Sequence, residues 1–250
     1  MIKSINSYFK AISIIFKLNL LGALMVPVLI SFIVGTLILF SAYGFSDNIG
    51  AWIGKAWIWE TGKDIFQSVS NFLGGMIVLM LGLIVYKHIV MAFSAPFMSP
   101  VAEKVLNHLN PEIKASEQNI TFSESLSRGI RINIRNLFFE LGMVVPLLFL
   151  TFIPAVGLVF TVLIFLIQAY YAGFGNMDFT LERFYKYKAS ILFVRGNKWK
   201  AIGNGGVFLL LTMIPFFGFL ISVPLGAVAA TISLADKVGE ESQLNLVFDK

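Results

Sequence analysis

Four stretches of this chain carry no Asp, Glu, Lys or Arg, and their lengths constrain the fold more than any other feature. Leu18–Ser46 has 29 residues, Ile65–Tyr86 has 22, Leu141–Met177 has 37 and Ala201–Ala235 has 35. A helix needs roughly 20 apolar residues to cross a hydrocarbon core of about 30 Å. The first two stretches each fit one spanning helix. The last two are too long for one helix, and each is broken inside, at Ile153-Pro-Ala-Val-Gly157 and at Ile214-Pro-Phe-Phe-Gly218. An interior proline removes a backbone donor and clashes with the preceding turn, and glycine supplies the conformations of a tight turn. The repeated Ile-Pro-x-x-Gly predicts two helix–turn–helix hairpins with arms of about 13 to 20 residues, roughly 20 to 30 Å long. Some arms of that length are expected to enter the bilayer only partway; two pairs of short, complete spans are the competing reading. Backbone at a turn inside lipid must be covered by neighbouring helices or subunits.

Composition agrees. Hydrophobic residues make up 57% of the 250, charged residues 13%, and mean hydropathy is +0.82. Soluble domains run nearer a quarter charged, so disorder, a coiled coil and an ordinary soluble enzyme are excluded. With no cysteine and two histidines, disulfides, thiolate zinc and thiol nucleophiles are excluded too, and neither a cofactor nor a metal is expected. The formal charge of +5 in so apolar a chain points to anionic lipid rather than nucleic acid as a partner. The expected fold is an all-α membrane protein, one domain over residues 1–250. It has two long transmembrane helices, two re-entrant, hemi-penetrating hairpins and amphipathic interfacial or cytoplasmic helices.

Of the 19 basic residues only Lys55 and Lys63 fall between the first two spans. The other seventeen lie on the opposite side, which predicts that both termini are cytoplasmic. The first apolar run is too long for a signal-peptide core. Before it, Lys3, Lys10 and Lys17 share one helical face and Ile5, Phe9, Ile12 and Phe16 another, the pattern of an interfacial amphipathic helix. Trp52, Trp57 and Trp59, in the outer loop, suit headgroup anchors. Thr121-Phe-Ser-Glu124 has capping-box form. It opens a helix with Leu126, Ile130, Ile134 and Leu137 on one face and Arg128, Arg131 and Arg135 on another, expected along the cytoplasmic surface. A second basic segment, Arg183 to Lys200, joins the two hairpins.

Taken in order, four segments resemble the CysZ-like sulfate permease family, grouped with the etoposide-induced membrane proteins. They are Ala95-Pro-Phe-Met-Ser-Pro-Val-Ala-Glu103; Ile153-Pro-Ala-Val-Gly157; Asp178 with the basic linker to Asn204-Gly-Gly; and Ile214-Pro-Phe-Phe-Gly218 with Pro224 and Ala229-Ala-Thr231. The resemblance implies the two-span, two-hairpin architecture, and an oligomer whose subunits can insert in opposing orientations. It also implies sulfate uptake feeding cysteine synthesis. One departure bears on the site. Sulfate-binding members carry a Gly-aliphatic-Arg-Arg motif a few residues before a proline, and counting back from Pro27 the positions here are Asn19, Leu20, Leu21 and Gly22. Both arginines are absent, and Lys17 cannot supply the same two-pronged donor.

Other groups could hold an anion. The second arm of each hairpin opens near a proline, so the free N–H groups and positive dipole end at Pro154–Gly157 and Pro215–Gly218 are candidates. The competing reading is a plain turn. Arg131 and Arg135 could gather anions at the cytoplasmic mouth or bind lipid phosphates. Glu140 enters an apolar stretch, where an ionisable group marks function by default; it could couple transport to protons, or form an interfacial pair with Arg135. Asp178 is positioned to cap a helix from Phe179. Gly218, Ser222, Gly226 and Ala230 make a small-residue packing seam, within the chain or between subunits. His88 and His108 show no partner spacing and are expected at interface or surface, and Gly203-Asn-Gly-Gly206 reads as a helix break. No nucleotide loop, metal quartet or nucleophile constellation is present. The expected function is permeation of sulfate or a related oxyanion across the bacterial inner membrane; a non-transporting membrane scaffold is the alternative.

Overall fold

A computed structural model describes residues 2–55, 62–112, 120–151, 153, 156–214 and 217–248. Trp57, Trp59, Pro154 and Pro215 lie outside the described residues. Among the described residues every regular element is a helix: α1 Ile2–Lys17, α2 Leu21–Gly54, α3 Lys63–Leu109, α4 Phe122–Leu150, α5 Gly157–Leu181, α6 Tyr187–Gly196, α7 Lys198–Thr212 and α8 Phe217–Phe248. The protein is an all-α membrane protein. Five segments are long and apolar enough to cross a bilayer: α2, α3, α4, α5 and Leu220–Val238 of α8.

The backbone falls into two units, Phe32–Lys87 and the combination of Met1–Ser31 with His88–Lys250. The smaller unit is a helical hairpin in which Gln67 Nε2 donates to Asn71 Oδ1 at 2.8 Å. A Cβ on Gly82 would stand 2.6 Å from Ile38 Cγ2, so the two helices touch closely there. Trp52 lies inside α2 rather than in a loop, and is 74% exposed.

The larger unit is centred on α5, which packs against α4, α7 and α8. Both Ile-Pro-x-x-Gly breaks separate helices as expected, between α4 and α5 and between α7 and α8. Their glycines serve space rather than torsion. A Cβ on Gly157 would fall 2.1 Å from the Thr151 carbonyl oxygen, and one on Gly218 would fall 1.9 Å from that of Leu211. In each hairpin the second arm starts against the carbonyl end of the first, where any side chain would collide.

The arms are longer than the charge-free runs suggest. α4 has 29 residues, α5 25 and α8 32, while α7 has 15, about 22 Å at 1.5 Å per residue and short of a full crossing. The difference lies in α4. The capping box forms, with Glu124 N–H donating to Thr121 Oγ1 at 3.3 Å and Thr121 N–H to Glu124 Oε2 at 2.8 Å. The helix it opens does not stop at the membrane surface but continues to Leu150, because nothing between Asn136 and Leu141 breaks it.

α4 also buries a different face from the one expected. Ser125, Gly129, Ile132, Asn133, Asn136, Glu140 and Val144 point inward, whereas Phe138 (72%) and Phe149 (71%) are exposed. Water would favour the opposite arrangement. Against lipid tails, apolar side chains lose nothing outside and polar groups must find partners inside. α1 follows the same logic: Ser4, Ser7, Tyr8, Ala11 and Ile15 are buried, while Phe9 and Phe16 face outward.

Two further expectations are corrected. Gly203-Asn-Gly-Gly206 does not break a helix, because α7 runs through it. A Cβ on Gly205 would stand 1.8 Å from the Ala169 carbonyl oxygen, and one on Gly173 would stand 1.9 Å from that of Ala201. α5 and α7 therefore cross antiparallel with their backbones nearly touching, which glycine alone permits. No helix starts at Phe179, so Asp178 caps none; α5 passes through it to Leu181. The seam on α8 packs within the chain, Gly218 against Leu211 and Gly226 against Asn176.

Candidate functional site

His88 and Glu140 meet at the centre of the buried polar face. His88 Nε2 lies 2.9 Å from Glu140 Oε2, with the side chains 2% and 0% exposed. His88 Nδ1 lies 3.3 Å from Asn133 Oδ1. The Asn133 amide nitrogen donates to the Gly129 carbonyl at 2.9 Å, which orients its oxygen toward the imidazole. An acceptor oxygen thus faces each ring nitrogen. α3 and α4 meet through this buried histidine–glutamate contact, and an ionisable pair inside spanning helices is a functional candidate by default.

Sequence spacing placed His88 at a surface and paired Glu140 with Arg135. The structure buries His88 and makes it the partner of Glu140. α3 is the reason: it continues as one helix past Lys87 to Leu109, carrying His88 into the larger unit. Exposed His108 fits its expected surface position. Arg135 instead donates from a guanidinium nitrogen to Asn136 Oδ1 at 2.9 Å and lies over the rings of Phe139 (4.9 Å) and Phe174 (5.7 Å). The Asn136 amide nitrogen is buried with no partner among the described residues, a donor free to meet a water or an anion.

A second polar group links four helices, α1, α5, α7 and α8. Asn176 Nδ2 donates to Asn204 Oδ1 at 2.9 Å, Asn204 Nδ2 to the Gly226 carbonyl at 3.0 Å, and Tyr8 Oη to the Asn204 carbonyl at 2.8 Å. Burial pushes the Tyr8 hydroxyl well above the ordinary phenol range, so it stays a donor.

Toward the start of α4, Arg128 forks onto Asp178, Nε to Oδ2 at 3.2 Å and a terminal nitrogen to Oδ1 at 2.9 Å. This is the role of Asp178 in place of a cap. Glu182 accepts from Ser99 and Ser125 hydroxyls. Burial raises its carboxyl above the usual range, against those hydrogen bonds and the Arg128 charge. Arg128 and Glu182 border an open cleft of about 760 Å³ whose lining includes Ser123, Ser127, Arg131 and Tyr187. Arg131 is exposed there, 5.6 Å from the Tyr187 ring centroid. Arg131 and Arg135, expected at one mouth, thus occupy different surroundings.

The corner between α1 and α2 holds the residues aligned with the missing arginines. Asn19 adopts a left-handed φ of 51°. Leu20 is buried, while Lys17, Asn19, Leu21 and Gly22 are exposed.

Spanning helices that turn polar and ionisable side chains inward define a polytopic membrane protein. The chain belongs to the family described as Sulfate transporter CysZ/Etoposide-induced protein 2.4, whose model matches residues 7–222. None of the curated proteins matches it.

Proposed function

We propose that the protein carries sulfate, or a related small inorganic oxyanion, across the bacterial cytoplasmic membrane, with the His88–Glu140 pair passing a proton. The observation that carries this reading is the family match over residues 7–222. Electrostatics favours the proton. Bringing a dianion into a cell whose interior is negative costs roughly 4.6 kcal/mol per 100 mV, two charges at about 2.3 each. Each proton moved with it offsets about half of that.

In this reading the anion meets Arg131 and Arg135, the hairpin turns at Pro154, Gly157, Pro215 and Gly218, and the corner from Lys17 through Asn19, Leu20, Leu21 and Gly22. Both termini face the cytoplasm, the chain is one domain working as a homo-oligomer among anionic lipids, and the sulfate feeds cysteine synthesis. The test is radiolabelled sulfate uptake into proteoliposomes. Flux above that of protein-free vesicles is expected; its absence across sulfate, sulfite and phosphate would leave a non-transporting membrane protein.

A further inference from the structure

A recess of about 370 Å³ opens between α5, α7 and the corner joining α6 to α7, and its polarity is graded. Met143, Leu163, Leu166, Ile167 and Ile202 line its apolar part. Tyr170, Tyr171, Arg195 and Lys198 line the rest. The order is set by the helices. Along α5 the lining runs Leu163, Leu166, Ile167, Tyr170, one face over about 10 Å. On antiparallel α7, Lys198 stands one turn before Ile202. The basic groups and the tyrosines therefore gather at one end and the aliphatic groups at the other.

Neither Arg195 nor Lys198 forms an ion pair with a carboxylate among the described residues, and both are exposed. Trp199, 58% exposed, adjoins them, with Lys198 Nζ 5.8 Å from its ring centroid. An exposed indole beside two cations marks headgroup level, and an aliphatic groove leading away from it runs toward the acyl region. An inorganic oxyanion would use the cations and leave the groove empty.

We propose that this recess is a binding site for one anionic phospholipid, its phosphate held by Arg195 and Lys198 and an acyl chain lying along Leu163, Leu166 and Ile202. The site does not depend on transport, and its test reads no flux. With Trp52, Trp57 and Trp59 replaced by phenylalanine, Trp199 becomes the only indole. The protein is reconstituted with phosphatidylglycerol or phosphatidylcholine brominated on the acyl chain. At equal mole fraction, brominated phosphatidylglycerol should quench Trp199 with an apparent preference on the order of tenfold, as two charges near an anionic lipid imply. Arg195→Gln with Lys198→Gln should bring the ratio near one, while Arg195→Lys with Lys198→Arg should keep it. If the double glutamine variant does not insert, the two single variants should each show a reduced ratio. Inorganic phosphate or sulfate should not reverse the quenching. Equal quenching by both lipids, an unchanged ratio in the glutamine variants, or reversal by inorganic phosphate would overturn the proposal.

Discussion

Replacing Gly205 by alanine tests the closest packing in the protein. The new Cβ would stand 1.8 Å from the Ala169 carbonyl oxygen and 2.5 Å from the Gly173 nitrogen. Both obstacles are backbone, so no side chain can rotate away. To reach ordinary contact α7 must retreat by roughly 1.5 Å, and overpacking of this kind costs about 1–3 kcal/mol. Retreat also stretches the 2.9 Å Asn176–Asn204 bond and the 2.8 Å bond from Tyr8 to the Asn204 carbonyl, worth about 1 kcal/mol each. The expected loss is about 3–5 kcal/mol, or roughly 6–20 °C in Tm for a chain of this size. Gly206 supplies the control. It sits next along the same helix with nothing within 4 Å of its would-be Cβ, so alanine there should be neutral, or stabilising by up to about 1 kcal/mol. Thermal unfolding of both variants in detergent, followed by tryptophan fluorescence, makes the comparison. A Gly205→Ala protein no less stable than Gly206→Ala would refute the close crossing of α5 and α7.

His88→Ala leaves the Glu140 carboxyl without its imidazole at 2.9 Å and should cost about 3–5 kcal/mol in unfolding experiments. Glu140→Gln, which keeps a group able to bond Nε2, should cost less; the reverse order would contradict the buried 2.9 Å contact. Glu182 gives a pH signature. Its carboxyl is raised in the folded state from an ordinary value of 4.5, so its contribution to stability is fully present below that value and is lost as pH rises through the folded one. The Tm of Glu182→Gln relative to the natural protein should therefore rise between about pH 4 and pH 8, and an equal difference at both would sink the assignment. Leu21→Arg with Gly22→Arg restores the arginine pair at exposed positions, Gly22 having nothing within 4 Å of a would-be Cβ. The double variant should fold with unchanged Tm and bind sulfate more tightly by calorimetry; unaltered binding would show that this corner is not an anion site.

The helix breaks were legible because Ile-Pro-x-x-Gly interrupts an apolar run, and the start of α4 because Thr121 and Glu124 have capping spacing. Charge as a helix boundary misled. Lys87 and Asp178 end the charge-free runs, yet α3 and α5 pass through both residues, since each finds its place inside a longer helix. The inward face of α4 was readable in principle: Ser125, Gly129, Asn133, Asn136 and Glu140 recur at three- and four-residue steps. The Leu126-Ile130-Ile134 stripe drew the reading instead, because an apolar face points inward only when the solvent is water. The His88–Glu140 pair spans 52 positions and Arg128–Asp178 spans 50, and no local pattern announces contacts so distant. Gly205 looked like a breaker because its purpose is a neighbour's backbone, which the sequence does not display.

Sulfate entry under an imposed proton gradient weighs the central claim most directly. Proteoliposomes of the natural protein should accumulate radiolabelled sulfate faster when the outside is acidified, and Glu140→Gln, still folded, should abolish the acceleration. Uptake no greater than in empty vesicles, or the same acceleration in the glutamine variant, would contradict it.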